Sequence, residues 1–155
     1  MEIKICAYSN SDYAAFQKML CTCFWQDYKI PRTEEQLERW QNMLIRQASA
    51  EIVFIDLLTA DGEAQGFILY QIDSPESDWC IKEGYGFIRE LYVAADFRRS
   101  GHGKALAVHA ETRLRQRGVP GIYLTTDEAM EFWAKMGYRD SGEVCSENDG
   151  RIFVK

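Results

Sequence analysis

The most informative stretch of the sequence is GFIRELYVAADFRRSGHGKA, residues 86–105. Its first half is mostly apolar and predicts the longest strand of the chain, at about residues 84–93. Two glycines follow, Gly101 and Gly103, and a helical pattern begins at once. Glycines allow close approach of a ligand, and the first turn of a helix presents free N–H groups together with the positive end of its dipole. The stretch therefore predicts an anion site, such as a pyrophosphate site, at residues 99–104.

The charge distribution supports this interpretation. Residues 89–117 contain seven basic and three acidic side chains, a net charge of +4, whereas the whole chain carries −6. Arg98, Arg99 and Lys104 adjoin the glycines. The spacing alone fits a simple helix start with solvated arginines equally well. The overall negative charge and a pI near 5.0 argue against a surface that holds nucleic acid through its phosphates.

Two familiar nucleotide-binding motifs are absent from the glycine loop. In a P-loop, a glycine would stand five residues before Gly103 and a serine or threonine would follow Lys104, and neither is present. A dinucleotide fingerprint would need a third glycine where this chain has Leu106. ATP and NAD are therefore both disfavoured as ligands.

The remaining pattern predicts an α/β domain that spans residues 1–155. Thr33 and Gln36 form a capping-box pair before a helix, and Asp61-Gly62 suits a hairpin turn. The alternation of residues 3–7 predicts a first strand with one buried face, and the third helix is expected to bury Leu106, Val108, Ala110 and Leu114. The predicted order is a strand at residues 3–7, helices at 13–24 and 33–45, strands at 52–59, 65–72 and 84–93, a helix at 103–117, a strand at 122–125, a helix at 129–136 and a strand at 152–154, with room for a further strand between Tyr138 and Cys145.

Composition limits the class of protein. A hydrophobic content of 46% is enough for one folded core, and no apolar run approaches the ~20 residues that a membrane span needs. Five cysteines, an odd number, predict free thiols in a reducing compartment, here the cytoplasm. Cys21 and Cys23 form a pair, but the chain has two histidines and no second cysteine pair, so we expect no metal.

Two motifs carry a resemblance to a known family. Leu91-Tyr92-Val93 precedes Arg98-Arg99-Ser100-Gly101-His102-Gly103, and Phe132-Trp133-Ala134-Lys135-Met136-Gly137-Tyr138 stands downstream. They resemble the L-x-V strand end, the R/Q-x-x-G-x-G/A helix start and the later aromatic and glycine motif of the GCN5-related N-acetyltransferases (GNAT). The element order fits the same family over nearly the whole chain. The resemblance implies a mixed, mostly antiparallel central sheet flanked by helices.

The resemblance also implies a reaction and a co-substrate. Acetyl-CoA would be the donor and a primary amine of a small molecule or peptide the acceptor, with direct attack in a ternary complex and no metal. Pantetheine would pair with the end of the fourth strand, and the pyrophosphate would lie on the amides of residues 99–104. The residues that the resemblance assigns to the cofactor are Leu91, Tyr92, Val93, Arg98, Arg99, Ser100, Gly101, His102, Gly103, Lys104, Thr126 and Trp133.

Glu90 is the predicted catalytic residue, because the acceptor amine must lose a proton. Regular alternation would place Ile88, Glu90 and Tyr92 on one face, and the other interpretation of Glu90 is a structural ion pair with Arg89 or Arg139. Many family members carry, where this chain has Trp133, a tyrosine that gives a proton to the leaving thiolate of coenzyme A. The indole of Trp133 cannot act as this acid. Water, Tyr123 or Tyr138 would then supply the proton to the thiolate. His102 stands at a variable position and is expected to be solvated.

The acceptor and the partners are less constrained by the sequence. Acidic residues in the segments 73–78, 127–131 and 140–149 suit a cationic amine or form an ordinary acidic surface. Phe24, Trp25, Tyr28 and Trp40 either contact the acceptor or belong to the core. The departure at Trp133 leaves a second function open, a weak or inactive module that binds coenzyme A or a protein partner. We expect a monomer or a homodimer, with no nucleic acid and no membrane.

Overall fold

The computed structural model describes residues 1–155 as one seven-stranded sheet with helices on both faces. The strands are β1 (Ile3–Ala7), β2 (Val53–Ala60), β3 (Glu63–Ile72), β4 (Gly86–Val93), β5 (Ile122–Thr126), β6 (Arg139–Val144) and β7 (Arg151–Val154). The helices are α1 (Tyr13–Thr22), α2 (Glu34–Ser49), α3 (His102–Gln116) and α4 (Met130–Lys135), and none is long and apolar enough to cross a bilayer. The sheet order is β1-β2-β3-β4-β5-β7-β6, and every pair except β4 and β5 is antiparallel. The predicted mixed sheet is confirmed, and β6 occupies the space left for a further strand.

The parallel strands β4 and β5 separate soon after they begin. They share the pairs Gly86 with Ile122 and Phe87 with Tyr123, and no pair beyond them. β4 continues to pair with β3 as far as Val93, and β5 pairs with β7. The sheet therefore has a gap near its middle, and one backbone edge of β4 is unpaired along this gap.

A β-bulge in β4 changes which side chains share a face. Ile88 pairs with Tyr70 and Glu90 pairs with Leu69, so Arg89 is an extra residue without a partner in β3. Ile88 accordingly belongs to the core on the α3 side, whereas Tyr92 belongs to the core beneath α1 and α2. The expected common face of Ile88, Glu90 and Tyr92 is therefore wrong, because the bulge places Glu90 and Tyr92 opposite Ile88.

Two other burial expectations are corrected by the packing. The helix α3 buries Leu106, Ala107, Ala110 and Leu114, at spacings of one, three and four, so Val108 points outward and is 44% exposed. The strand β1 is an edge strand with only β2 beside it, and Ile3 is 37% exposed. The predicted buried face of β1 is limited to a half-buried Ile5 that packs against the α3 side of the core.

The first helical region ends in a widened turn. After Thr22 the chain forms a π-helix at Cys23–Asp27, in which the Tyr28 amide donates to the Cys23 carbonyl at 2.9 Å. Phe24 is buried there against Trp40 of α2, with ring centroids 5.3 Å apart. The segment lies on the same face of the sheet as Glu90 and covers the end of β4.

The predicted capping box fixes the start of α2. The Gln36 amide donates to Thr33 Oγ1 at 3.1 Å, and the Thr33 amide donates to Gln36 Oε1 at 2.9 Å. These bonds satisfy two backbone donors that the first turn of a helix otherwise leaves free.

Replacing the capping hydroxyl tests its contribution to stability. We expect Thr33→Ala to lower the free energy of unfolding by about 1 kcal/mol, because one first-turn amide loses its acceptor. Thr33→Ser keeps the hydroxyl and should lose less than half of that amount. Urea unfolding at pH 7.5 measures both, and equal losses in the two variants would contradict the role of the cap.

Candidate active site

Glu90 lies on β4 beneath the end of the π-helix, where its carboxyl group accepts a hydrogen bond from the Tyr28 hydroxyl. Its side chain is half-buried and forms no salt bridge. Burial raises the pKa of Glu90 to about 7, against the opposing effects of the Tyr28 hydrogen bond and the Arg89 charge. A carboxyl group with this pKa changes protonation state near neutral pH, which is a property of proton acceptors in active sites.

The suggested ion pair between Glu90 and Arg89 is not formed. The Arg89 guanidinium instead donates to both Asp78 oxygens, at 2.8 and 2.9 Å, and to Gln71 Oε1 at 2.8 Å. This fork-like pairing holds Arg89 on the loop between β3 and β4. Glu90 is thereby left without a strong cationic partner, although the two residues are neighbours in the sequence.

The glycine loop presents unpaired backbone donors. Gly101 has φ +84° and forms the N-cap of α3, and the first helical bond runs from the Ala105 amide to the Gly101 carbonyl at 3.0 Å. The amides of residues 102–104 therefore have no partner within the helix. A β-carbon built on Gly101 would meet no atom within 4 Å, so the loop faces open space. The geometry suits the predicted anion.

Arg98 is engaged within the protein, in contrast to its two basic neighbours. Its Nε donates to the Val93 carbonyl at 2.6 Å, and its Nη2 pairs with Asp27 at 2.7 Å. It thus joins the loop, the end of β4 and the π-helix. Arg99 and Lys104 are exposed and form no ion pair, so they are the basic side chains of the loop that are free to meet an anion.

Fewer backbone groups of β4 are free along the gap than the sequence predicts. The Ala94 amide donates to the Gln65 carbonyl in the β3 direction at 2.7 Å, so the polar groups of Tyr92 also face β3. Those of Leu91 and Val93 face the gap, and Arg98 already occupies the Val93 carbonyl. The Tyr92 ring is buried and stacks on Phe67. The backbone of Leu91 and the amide of Val93 are therefore the parts of the predicted segment that remain free.

Comparison with known proteins identifies the family. The model of the Acetyltransferase (GNAT) family matches residues 17–138. The chain belongs to this family. It is similar to aminoglycoside N(6')-acetyltransferase type 1 from Klebsiella aerogenes, with 28% identity over 109 residues that cover 70% of this chain and 68% of that protein.

Solved structures share the fold of this GNAT protein. One is a PaiA N-acetyltransferase from Thermoplasma acidophilum in complex with coenzyme A, with a TM-score of 0.75, 20% identity and 100% and 99% of the two chains covered. Another is a GNAT acetyltransferase from Staphylococcus aureus, with a TM-score of 0.78, 16% identity and 99% and 98% covered. These likenesses confirm the predicted architecture.

The other predicted cofactor residues of the GNAT protein lie around the gap. Thr126 ends β5, and its Oγ1 accepts a hydrogen bond from the Ala129 amide at 3.2 Å. Trp133 is 6% exposed and packs edge-to-face on Phe132 and Tyr138, at 4.9 and 5.4 Å between ring centroids. Ser100 is exposed, and half-buried His102 lies beside Phe97. Cofactor contacts by these residues remain predictions, and most of the Trp133 ring is core.

Neither Tyr123 nor Tyr138 is placed to give a proton to a leaving thiolate. Tyr123 is fully buried and donates its hydroxyl to Asp73, which also accepts from the Ile81 and Lys82 amides at 3.0 Å. The Tyr138 hydroxyl is buried without a hydrogen-bond partner. Burial raises the pKa of both hydroxyl groups, which makes them still weaker acids.

The sequence did not single out Tyr28 as a partner of Glu90. The sequence places Tyr28 only among the aromatic residues of the helical region, and no local pattern marks the π-helix that positions it.

A cavity of about 420 Å³ lies away from this site, at the edge of β2, and contains neither Glu90 nor the glycine loop. No group of three or more His, Cys, Asp or Glu side chains is arranged to hold a metal ion.

The raised pKa of Glu90 has a consequence for stability. The folded protein retains the Glu90 proton up to about pH 7, whereas the unfolded chain releases it near 4.5. The folded state therefore binds more protons between these values, and this contribution to stability decreases as the pH rises through the window.

Glu90→Gln should remove this decrease in stability with rising pH. We expect the variant to unfold at a higher urea concentration than the parent protein at pH 8 and at nearly the same concentration at pH 4, because only the ionised carboxylate is penalised by burial. Glu38→Gln changes an exposed, unpaired carboxylate of α2 and serves as the control, with little change at either pH. A destabilised Glu90→Gln at pH 8 would contradict the assigned environment.

Proposed function

We propose that this GNAT protein transfers the acetyl group of acetyl-CoA to a primary amine by direct attack in a ternary complex. The observation that carries the proposal is the position of Glu90, a carboxyl group without an ionic partner and with a pKa of about 7, on the strand that borders the gap. Family membership supports acetyl transfer as the reaction class. We propose that the unit acts in the cytoplasm, as a monomer or a homodimer.

Acetyl-CoA would supply an activated acetyl thioester. The residues around the gap suit it, since the free amides of residues 102–104, together with Arg99 and Lys104, offer donors and positive charge to a pyrophosphate. The free backbone groups of Leu91 offer hydrogen bonds to a pantetheine amide. A relative of the same fold, the PaiA enzyme, has been solved with coenzyme A, which adds support by analogy.

Glu90 would accept the proton that the amine loses. In the transfer, the amine nitrogen forms a bond to the acetyl carbonyl carbon, and the carbon–sulfur bond breaks to release the thiolate of coenzyme A. The proton leaves the nitrogen for Glu90, directly or through one water molecule. Because Trp133 has no ionisable proton and Tyr123 and Tyr138 are enclosed, we propose that the thiolate takes its proton from water.

For the acceptor we propose a small cationic amine. The similarity to an aminoglycoside acetyltransferase supports a substrate with several amino groups. Trp25 and Tyr28 are both 41% exposed on the face that carries Glu90 and offer aromatic surface to a cation. The acidic segments of the sequence add an attractive field for such a molecule.

The donor site can be tested by calorimetric titration with acetyl-CoA and with coenzyme A. We expect the double variant Arg99→Ala/Lys104→Ala to bind about tenfold more weakly, since each exposed charge pair contributes up to about 1 kcal/mol. The loss should shrink at high salt because the charges are exposed to solvent. Lys18→Ala/Arg39→Ala removes two exposed, unpaired charges from α1 and α2 and should bind as the parent protein does. Unchanged binding in the first variant would contradict the proposed phosphate site.

The transfer itself can be tested by thiol release with a panel of aminoglycosides, polyamines and lysine peptides. We expect Glu90→Gln to lower turnover at pH 7.5 by about 100-fold, the usual contribution of a general base, with coenzyme A affinity unchanged. If the parent protein binds coenzyme A but transfers acetyl to none of these amines, the result would favour the second function, an inactive module that binds coenzyme A. Full turnover by Glu90→Gln would exclude Glu90 as the base.

A further inference from the structure

We propose that Tyr28 is a positioning residue for Glu90, which orients the carboxyl group and holds it in a state able to accept a proton. The inference rests on the proposed transfer to an amine. The Tyr28 hydroxyl is the one hydrogen-bond donor that the protein offers to the Glu90 carboxyl group, and it engages Oε2. The second oxygen, Oε1, has no partner in the protein and is left for the amine or a bridging water.

Tyr28 is itself held in place by the π-helix. Its amide donates to the Cys23 carbonyl at 2.9 Å, and its ring meets Phe24 edge-to-face with centroids 5.2 Å apart. Phe24 is buried against Trp40 of α2. Because these contacts fix both the backbone and the ring, the hydroxyl has little freedom to leave Glu90. The hydrogen bond therefore restricts the orientation of the carboxyl group.

The ring and the hydroxyl of Tyr28 act on Glu90 in opposite directions. The hydroxyl donates to the charged carboxylate and lowers the pKa of Glu90, whereas the covering ring keeps water away and contributes to the burial that raises it. Removing the hydroxyl alone should raise this pKa further. Removing the whole side chain should expose Glu90 and return its pKa toward the ordinary value of 4.5.

The other charged groups near Glu90 do not take over this role. Arg89 on β4 is paired with Asp78 from the loop between β3 and β4, and Asp27 of the π-helix is paired with Arg98 from the glycine loop. The Cys23 thiol is fully buried, and its pKa is raised by burial and by the Glu90 charge, so it stays neutral. Tyr28 is the group of this set that donates directly to the carboxyl group.

The test uses Tyr28→Phe and Tyr28→Ala in the full chain. Loss of a hydrogen bond to a charged group should raise the pKa of Glu90 by about one in Tyr28→Phe. The rate kcat/KM at pH 7 should then fall about fivefold and approach the parent value at pH 9, because the base is deprotonated there in both proteins. Tyr28→Ala should move the acidic limb of the pH profile in the opposite direction, toward lower pH.

A second readout does not depend on turnover. The Glu90 carboxyl group can be titrated by NMR in protein with ¹³C-labelled glutamate side chains, with Glu90→Gln identifying its resonance. Tyr13→Phe is the matched control, because the Tyr13 hydroxyl donates to Asn42 at 2.8 Å in the same helical layer and does not contact Glu90. We expect the control to leave both the titration and the pH profile unchanged.

The outcomes separate this inference from the proposed function. An unchanged Glu90 titration in Tyr28→Phe and Tyr28→Ala, or an equal loss of rate at every pH, would overturn the positioning role even if the protein acetylates amines. Absence of transfer by the parent protein would overturn the proposed function, whereas opposite shifts of the Glu90 titration in the two variants would still establish that Tyr28 controls this carboxyl group.

Discussion

The separation of β4 from β5 is the constraint on which the candidate site depends. A strand in the middle of a sheet normally has both edges paired, and an unpaired N–H or carbonyl group that is shielded from water is costly. Here the pairing stops after Phe87 and Tyr123, and α3 begins beside the opened end of β4. The protein satisfies part of the open edge itself, through the bond from Arg98 to the Val93 carbonyl. The groups left over at Leu91, at the Val93 amide and on the first turn of α3 are all donors or acceptors that a ligand can use.

Two one-residue irregularities bring Glu90 and Tyr28 together on the other side of the same strand. The bulge at Arg89 places two consecutive β4 side chains toward α1 and α2, so that Arg89 can reach Asp78 while Glu90 reaches Tyr28. The π-helix adds a residue to the facing turn and sets Tyr28 above the carboxyl group. Either element in its regular form would rotate one of the two side chains away, since a one-residue shift reverses the face in a strand and turns a helix by about 100°.

The sequence predicts the local features of this arrangement and misses the non-local ones. The capping box at Thr33, the Asp61-Gly62 turn and the helix start at Gly101 depend on nearby residues, whose side chains and φ angles suffice to specify them. The bulge and the π-helix depend on packing between segments that are about 60 residues apart, and no residue type in either segment requires them. The predicted burial of Val108 and of one face of β1 is wrong for a related reason. Periodicity marks an apolar residue but does not say whether another element covers it.

The charge pairing explains why Glu90 has no ionic partner. A buried carboxylate would normally be held by the nearest guanidinium, and such a pair would lower its pKa and occupy both oxygens. In this protein Asp78 binds Arg89 and Asp27 binds Arg98, so that both guanidinium groups already have an ionic partner. What remains is one neutral donor, Tyr28, which orients the carboxyl group without removing its affinity for a proton. The site thus keeps Glu90 close to its protonation midpoint at neutral pH, at some cost in stability.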